Sequence, residues 1–198
     1  MHKYLAELLG TLILTLAVLL SLAGSFPVPT PVLAGLTLGL LVYSLGHVSG
    51  AHLNPAVTIG LWSLGKISTL EALGYVVAQF LGAWLAPLAA HVLNVTPAVL
   101  QIGNAPSVGL AEALGALVFT FGIAAVVYGK TPAAMSGAVV GGSLVLGIAL
   151  ASSVSNGVLN PAVAYGIGSF SSMYVLGPVV GALSGMHLLR WLSGRGQE

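Results

Sequence analysis

The sequence predicts an all-α membrane protein of six transmembrane helices plus two re-entrant half-helices, built as an inverted three-span repeat. Three observations carry the prediction. Of 198 residues 57% are hydrophobic and 5% charged, with no Asp and a mean hydropathy of +1.05, far from the make-up of water-soluble domains. No Asp, Glu, Lys or Arg occurs from Leu8 to Gly65 or from Thr131 to Leu189, runs of 58 and 59 residues. Since ~20 apolar residues cross the hydrocarbon core, each run must traverse it more than once. Finally, Leu-Asn-Pro-Ala-Val occurs twice, at Leu53 to Val57 and at Leu159 to Val163, each time inside a long apolar stretch.

Pro, Gly and the few charges divide the chain. The first span lies near 4 to 24. Its Lys3, apolar run and Ser21-Leu22-Ala23 imitate a signal peptide, but Ala6-Glu7-Leu8-Leu9-Gly10 with Thr15 returns as Ala111-Glu112-Ala113-Leu114-Gly115 with Thr120, so the segment belongs to a repeated fold. The second span runs near 32 to 49. Then comes Asn54-Pro55-Ala56, a helix start, because Asn caps free N–H groups and Pro at the first helical position loses no needed donor. About three turns follow it, too few to cross. The third span, 70 to 91, is echoed by the sixth, for Tyr75, Ala78, Gly82 and Ala83 match Tyr174, Gly177, Gly181 and Ala182. The fourth and fifth lie near 108 to 128 and 134 to 153. Asn160-Pro161-Ala162 opens the second half-helix, and the sixth span covers 173 to 193. Three matches in order predict a duplication, with a first repeat at 1–92 and a second at 107–198. An odd number of spans per copy turns the second copy upside down, and broken helices in such repeats mark a pore or a binding site.

The positive-inside rule orients the chain. With both termini cytoplasmic, Lys3, Lys66, Lys130, Arg190 and Arg195 all fall on that side, and the loops near 25 to 31, 92 to 107 and 154 to 160 hold no basic residue. Short loops point to a prokaryotic cell (inner) membrane. Gly35 and Gly39, Gly46 and Gly50, Gly137 and Gly141, and Gly177, Gly181 and Gly185 have the four-residue spacing that lets helix backbones approach.

Gly46-His47-Val48-Ser49-Gly50-Ala51-His52-Leu53-Asn54-Pro55-Ala56-Val57, the second Asn160-Pro161-Ala162 and the paired Glu7 and Glu112 resemble the aquaporins and aquaglyceroporins, the major intrinsic protein family. The resemblance spans nearly the whole chain. It implies one channel domain over 1–198, half-helices meeting mid-membrane, one pore per chain and a homotetramer. At the implied pore centre stand Asn54, Pro55, Ala56, Asn160, Pro161 and Ala162. Each half-helix carries roughly half a positive elementary charge at its tip, which repels cations. The Asn54 and Asn160 amides offer N–H donors that occupy both lone pairs of a passing water, so it cannot relay a proton. By resemblance, the carbonyls of Gly50, Ala51 and His52 and of Asn156, Gly157 and Val158 face the lumen, and Glu7 and Glu112 accept hydrogen bonds from the loops that hold the half-helices.

The departures concern the solute. Most members have Arg directly after the second Asn-Pro-Ala, where this chain has Val163, and the other three filter positions become Ala34, Ile148 and Gly157. The implied filter is therefore wide and apolar. Ala164 and Gly168 also depart from the glycerol channels, and arginine-lacking bacterial aquaglyceroporins of arsenic-resistance operons are the nearer likeness. Water, glycerol-like polyols and neutral metalloid hydroxides are the expected permeants; a water-selective channel is the alternative within the family.

Blander readings accompany these. His47 and His52 read as buried hydrogen-bonding groups, while His2, His91 and His187 carry no motif. Trp62, Trp84, Trp191 and the tyrosines read as packing or interface anchors. Asn94-Val95-Thr96 matches a glycosylation sequon but is followed by Pro97. An ion-coupled secondary transporter is the rival of another class, yet it would need acidic midplane residues, and only Glu7 and Glu112 are offered. The composition suggests no enzyme, no cofactor and no metal site, and a net charge of +1 argues against nucleic acid. The expected partners are the lipid bilayer, small neutral permeants and further copies of the chain.

Overall fold

The computed structural model describes residues 1–24 and 27–194, and all of its regular structure is helical. Six helices are long and apolar enough to cross a membrane. They are α1 (His2–Ser21), α2 (Thr30–Ser49), α4 (Thr69–Val92), α5 (Pro106–Val127), α6 (Ser136–Ala151), which is extended by a 3-10 turn at Ala133–Met135, and α8 (Met173–Leu192). The two remaining helices are α3 (Pro55–Ser63) and α7 (Pro161–Gly166). At 1.5 Å per residue they rise about 13 and about 9 Å, well short of a ~30 Å core.

One of these falls below expectation. Rather than about three turns, α7 has six residues. Gly168 takes a left-handed φ of +77°, which lets Ser169 N–H reach back to the Ala164 carbonyl (2.8 Å) and Gly168 N–H to that of Tyr165 (3.3 Å). This is a Schellman turn, and it closes the helix. The same closure at Gly65, with Lys66 N–H on the Leu61 carbonyl (2.9 Å), ends α3 three residues later in its own count.

Glycines set several close crossings, three of them as follows. Along α8, Gly177, Gly181 and Gly185 lie against the carbonyls of Gly109, Ala113 and Leu117 in α5. On α2 and α6, Gly35 and Gly39 face Gly141 and Gly137 backbone to backbone. In the first half Gly82 of α4 lies on the Leu8 carbonyl of α1. A side chain at any of these points would drive the helices apart. The Gly46 and Gly50 pair does not pack this way: nothing lies near Gly46, and Gly50 ends α2 in a left-handed conformation (φ +86°).

Outward faces of the long helices carry Leu36, Leu40, Leu70, Val77, Leu110 and Trp191, all exposed. Inside, the fully buried residues include Glu7, Gln79, Thr58 and Glu112. Lys3 pairs with Glu71 at the starts of α1 and α4, and Lys66 lies over the Tyr128 ring, 4.9 Å from its centroid. Arg195 falls outside the described residues, as do positions 25 and 26 of the first loop.

Candidate functional site

The chain before each half-helix is held in a conformation that most residues avoid. Ala51 (φ +49°) and Leu53 (φ +49°) lead to Asn54, while Gly157 (φ +61°) and Leu159 (φ +55°) lead to Asn160. Left-handed non-glycine residues cost free energy and persist only where the surroundings enforce them. Here a buried carboxylate does so. Glu7 accepts from the Ser49 hydroxyl (2.7 Å), the backbone N–H of His52 (2.9 Å) and Leu53 (2.7 Å), and the Gln79 amide (2.8 Å). Glu112 accepts from the Ser155 hydroxyl (2.7 Å) and the backbone N–H of Val158 (3.0 Å) and Leu159 (2.7 Å). Both are fully buried, and several donors per carboxylate offset the loss of water.

Tyrosines complete the supports. Tyr75 O–H donates to the Ser49 carbonyl (2.7 Å), and Tyr174 Oη accepts from Asn156 N–H (2.9 Å). These two act on the loops rather than as plain packing anchors, and their matched positions in the two repeats were the signal. No sequence pattern singles out Gln79, Thr58 or Ser155, and Ser49 enters only as part of the quoted motif.

The half-helix tips meet. Asn54 caps α3 by accepting from Ala56 N–H (2.8 Å), and Asn160 caps α7 by accepting from Ala162 N–H (3.1 Å) and Val163 N–H (3.3 Å). Their amide nitrogens cross over: Asn54 donates to the Leu159 carbonyl (2.9 Å) and Asn160 to the Leu53 carbonyl (2.9 Å). An amide nitrogen carries two hydrogens. One of each pair is thus committed to the opposite loop, and the second is left for a ligand.

A cavity of about 240 Å³ runs alongside this junction. Asn54, Asn160, His52, Asn156, Gly157 and Val158 line it, as do Ala34, Ile148 and Val163. The four predicted filter positions and both asparagines therefore share one continuous space. Leu100, from the stretch between α4 and α5, joins its wall; that stretch is anchored by Ala98 N–H on the Leu22 carbonyl (3.0 Å) and by the Asn156 amide on the Gln101 carbonyl (3.0 Å). A second cavity is lined by Gly50, Ala51, His52, Val57, Ile123 and Lys66, among others. Of the other candidate residues, Pro55, Ala56, Pro161 and Ala162 are buried in the half-helix starts. His52 is buried as expected, but His47 is exposed on α2.

The family model described as Major intrinsic protein matches residues 1–189. The chain belongs to the major intrinsic protein family. It is 32% identical to Aquaporin Z of Bradyrhizobium diazoefficiens over 225 residues, covering 98% of this chain and 94% of that one. It is 33% identical to a probable aquaporin, AqpM, of Archaeoglobus fulgidus over 181 residues, covering 80% and 73%. Among solved structures, the aquaglyceroporin of Plasmodium falciparum superposes with a TM-score of 0.62 at 21% identity, covering 96% of this chain and 94% of that chain. That likeness gives the fold, the aquaporin fold. As a major intrinsic protein with six membrane-crossing helices, the chain is a multi-pass membrane protein.

Proposed function

We propose that this protein is a passive transmembrane channel, not an enzyme, for water and small uncharged solutes, including polyols such as glycerol and neutral metalloid hydroxides. The observation that carries the reading is the continuous cavity that passes Ala34, Ile148, Gly157 and Val163 and reaches the paired Asn54 and Asn160. In this reading those four residues form a wide apolar filter, and the remaining amide hydrogens of the asparagines hold a permeant at the pore centre. Carbonyls of Gly50, Ala51 and His52 and of Asn156, Gly157 and Val158 replace part of its hydration along one wall. Pro55, Ala56, Pro161 and Ala162 shape the tips, and Glu7 and Glu112 keep the loops rigid.

The remaining features follow from the same reading. Residues 1–92 and 107–198 form the two inverted repeats. Lys3, Lys66, Lys130 and Arg190 put both termini in the cytoplasm of a cell whose inner membrane holds the protein. Exposed apolar faces are shared between lipid and the neighbours of a homotetramer. An ion-coupled carrier is less well supported, because Glu7 and Glu112 already accept four and three hydrogen bonds from their own loops and supports.

The test is stopped-flow swelling and shrinking of vesicles containing the purified protein, with water, glycerol and a neutral metalloid acid compared side by side. Flux linear in the gradient, above that of protein-free lipid and indifferent to ion gradients, is expected. Saturable, proton-driven uptake would replace the channel with a carrier.

A further inference from the structure

Two cavities approach each other inside the bundle, and among the described residues His52 alone lines both. On three helices the lining passes from one cavity to the other within a single turn. On α2 the first cavity is lined by Leu38 and the second by Val42, one turn apart; on α5 the residues are Phe119 and Ile123; on α6 they are Leu144 and Val140. The change of cavity is thus a single ring around the path, apolar on those three sides, with the His52 imidazole on the fourth. The four-residue ring of Ala34, Ile148, Gly157 and Val163 makes no such break, since all four open on one space.

We propose that the narrowest part of the path is this inner ring at His52, and that it, rather than the outer ring, decides which solutes pass. The inference rests on the channel reading above.

The imidazole is held for that task by Thr58 and Gln79, neither of which has a polar counterpart in the other half. Gln79 donates its two amide hydrogens to Glu7 and to Thr58 Oγ1 (2.8 Å each). Turning the amide over would set its oxygen against the Glu7 carboxylate, so the orientation is fixed by charge. Thr58 Oγ1, accepting from Gln79, has its own hydrogen left for His52 Nδ1, 3.2 Å away. Taking that hydrogen makes Nδ1 an acceptor and puts the ring proton on Nε2, the tautomer we assign. An edge-to-face contact with Tyr75, 5.0 Å between centroids, fixes the ring plane. The ring therefore offers one N–H donor at an otherwise apolar constriction, enough for a water or a single hydroxyl at a time. The equivalent positions of the second repeat are Val158, Ala164 and Pro178 in place of His52, Thr58 and Gln79, so the second repeat has no counterpart of this imidazole among the described residues.

The experiment compares glycerol and water permeability of vesicles carrying the wild type, His52→Ala, Ile123→Ala and Ile148→Ala. Water flux of the wild type above bare lipid is the separate check on the channel reading. Widening the inner ring by His52→Ala or Ile123→Ala is expected to raise the glycerol-to-water ratio by about tenfold, the discrimination a small change in pocket size carries. Ile148→Ala, at the outer ring, is expected to raise the ratio by less than either inner-ring variant. Should His52→Ala conduct no water, Ile123→Ala carries the same expectation alone. An unchanged ratio at the inner ring, or a larger rise at Ile148→Ala than at either inner-ring variant, overturns the proposal. The positioning role of Thr58 has its own readout. Solid-state nitrogen NMR of histidine-labelled protein should show His52 protonated at Nε2 in the wild type and divided between tautomers in Thr58→Val. A wild-type ring protonated at Nδ1 would overturn that part.

Discussion

Replacing Glu112 with Gln separates a supporting carboxylate from a proton-carrying one. One carboxylate oxygen of Glu112 receives Ser155 Oγ–H (2.7 Å) and Val158 N–H (3.0 Å), and the other receives Leu159 N–H (2.7 Å). The mildest placement of a glutamine puts its oxygen on the first side and keeps two bonds. Its amide nitrogen then faces the Leu159 N–H, donor against donor. One buried backbone donor loses its acceptor, a cost of about 1–3 kcal/mol. Glu112→Ala strands the N–H groups of both Val158 and Leu159, so about 2–6 kcal/mol is expected from the same reasoning. The damage should reach the path, because the Leu159 carbonyl is the acceptor for the Asn54 amide (2.9 Å). Unfolding monitored in a detergent and denaturant series should rank wild type above Glu112→Gln above Glu112→Ala, and vesicle water flux should fall in that order with no dependence on an imposed pH gradient. Unchanged stability of Glu112→Gln, together with loss of a proton-driven flux, would refute the supporting role.

Other outcomes follow from the same geometry. Val163→Arg, which places a long cationic side chain in the cavity, should narrow the outer ring and suppress glycerol flux more than water flux; equal suppression would show that the new side chain does not set the width of the path. In Gly181→Ala the new Cβ would lie 2.8 Å from the Ala116 Cβ and 2.9 Å from the Ala113 carbonyl carbon, so destabilisation of about 1–3 kcal/mol is expected in the same unfolding series. Gly142→Ala meets nothing within 4 Å and should stabilise by up to about 1 kcal/mol through helix propensity; a loss of stability there would show that another surface covers it. Asn160→Ala removes a helix cap and the bond to the Leu53 carbonyl, which together should cost about 2 kcal/mol, and thermal melting compared with wild type measures it.

The spans were legible because nothing competes with hydrophobicity in a chain so poor in charge. Proline and glycine then fixed the ends to within a few residues. The length of α7 was not legible: Gly168 reads as an ordinary glycine until Ser169 N–H is found folded back on the Ala164 carbonyl. The spacing of Gly46 and Gly50 imitates a packing motif, yet the second glycine serves to end a helix. Ala34 and Ile148 could be set beside Gly157 and Val163 only through the family's register, since no local pattern links residues on three separate elements. Gln79 does carry a trace in the sequence. It is the only Asn or Gln within the six long helices, and a lone amide in an apolar span needs a partner. Its partners, Glu7 and Thr58, lie 72 and 21 residues away in the chain, a distance no periodicity can bridge.

The crossed bonds between the half-helix tips also bear on motion. Asn54 reaches into the second half and Asn160 into the first, while the glycines of α2 and α6 lock the two halves backbone to backbone. Alternating access by rocking one half against the other would have to break both of these hydrogen bonds and pull that seam apart in every cycle. A molecule clasped in this way is built to stand still while its cargo moves.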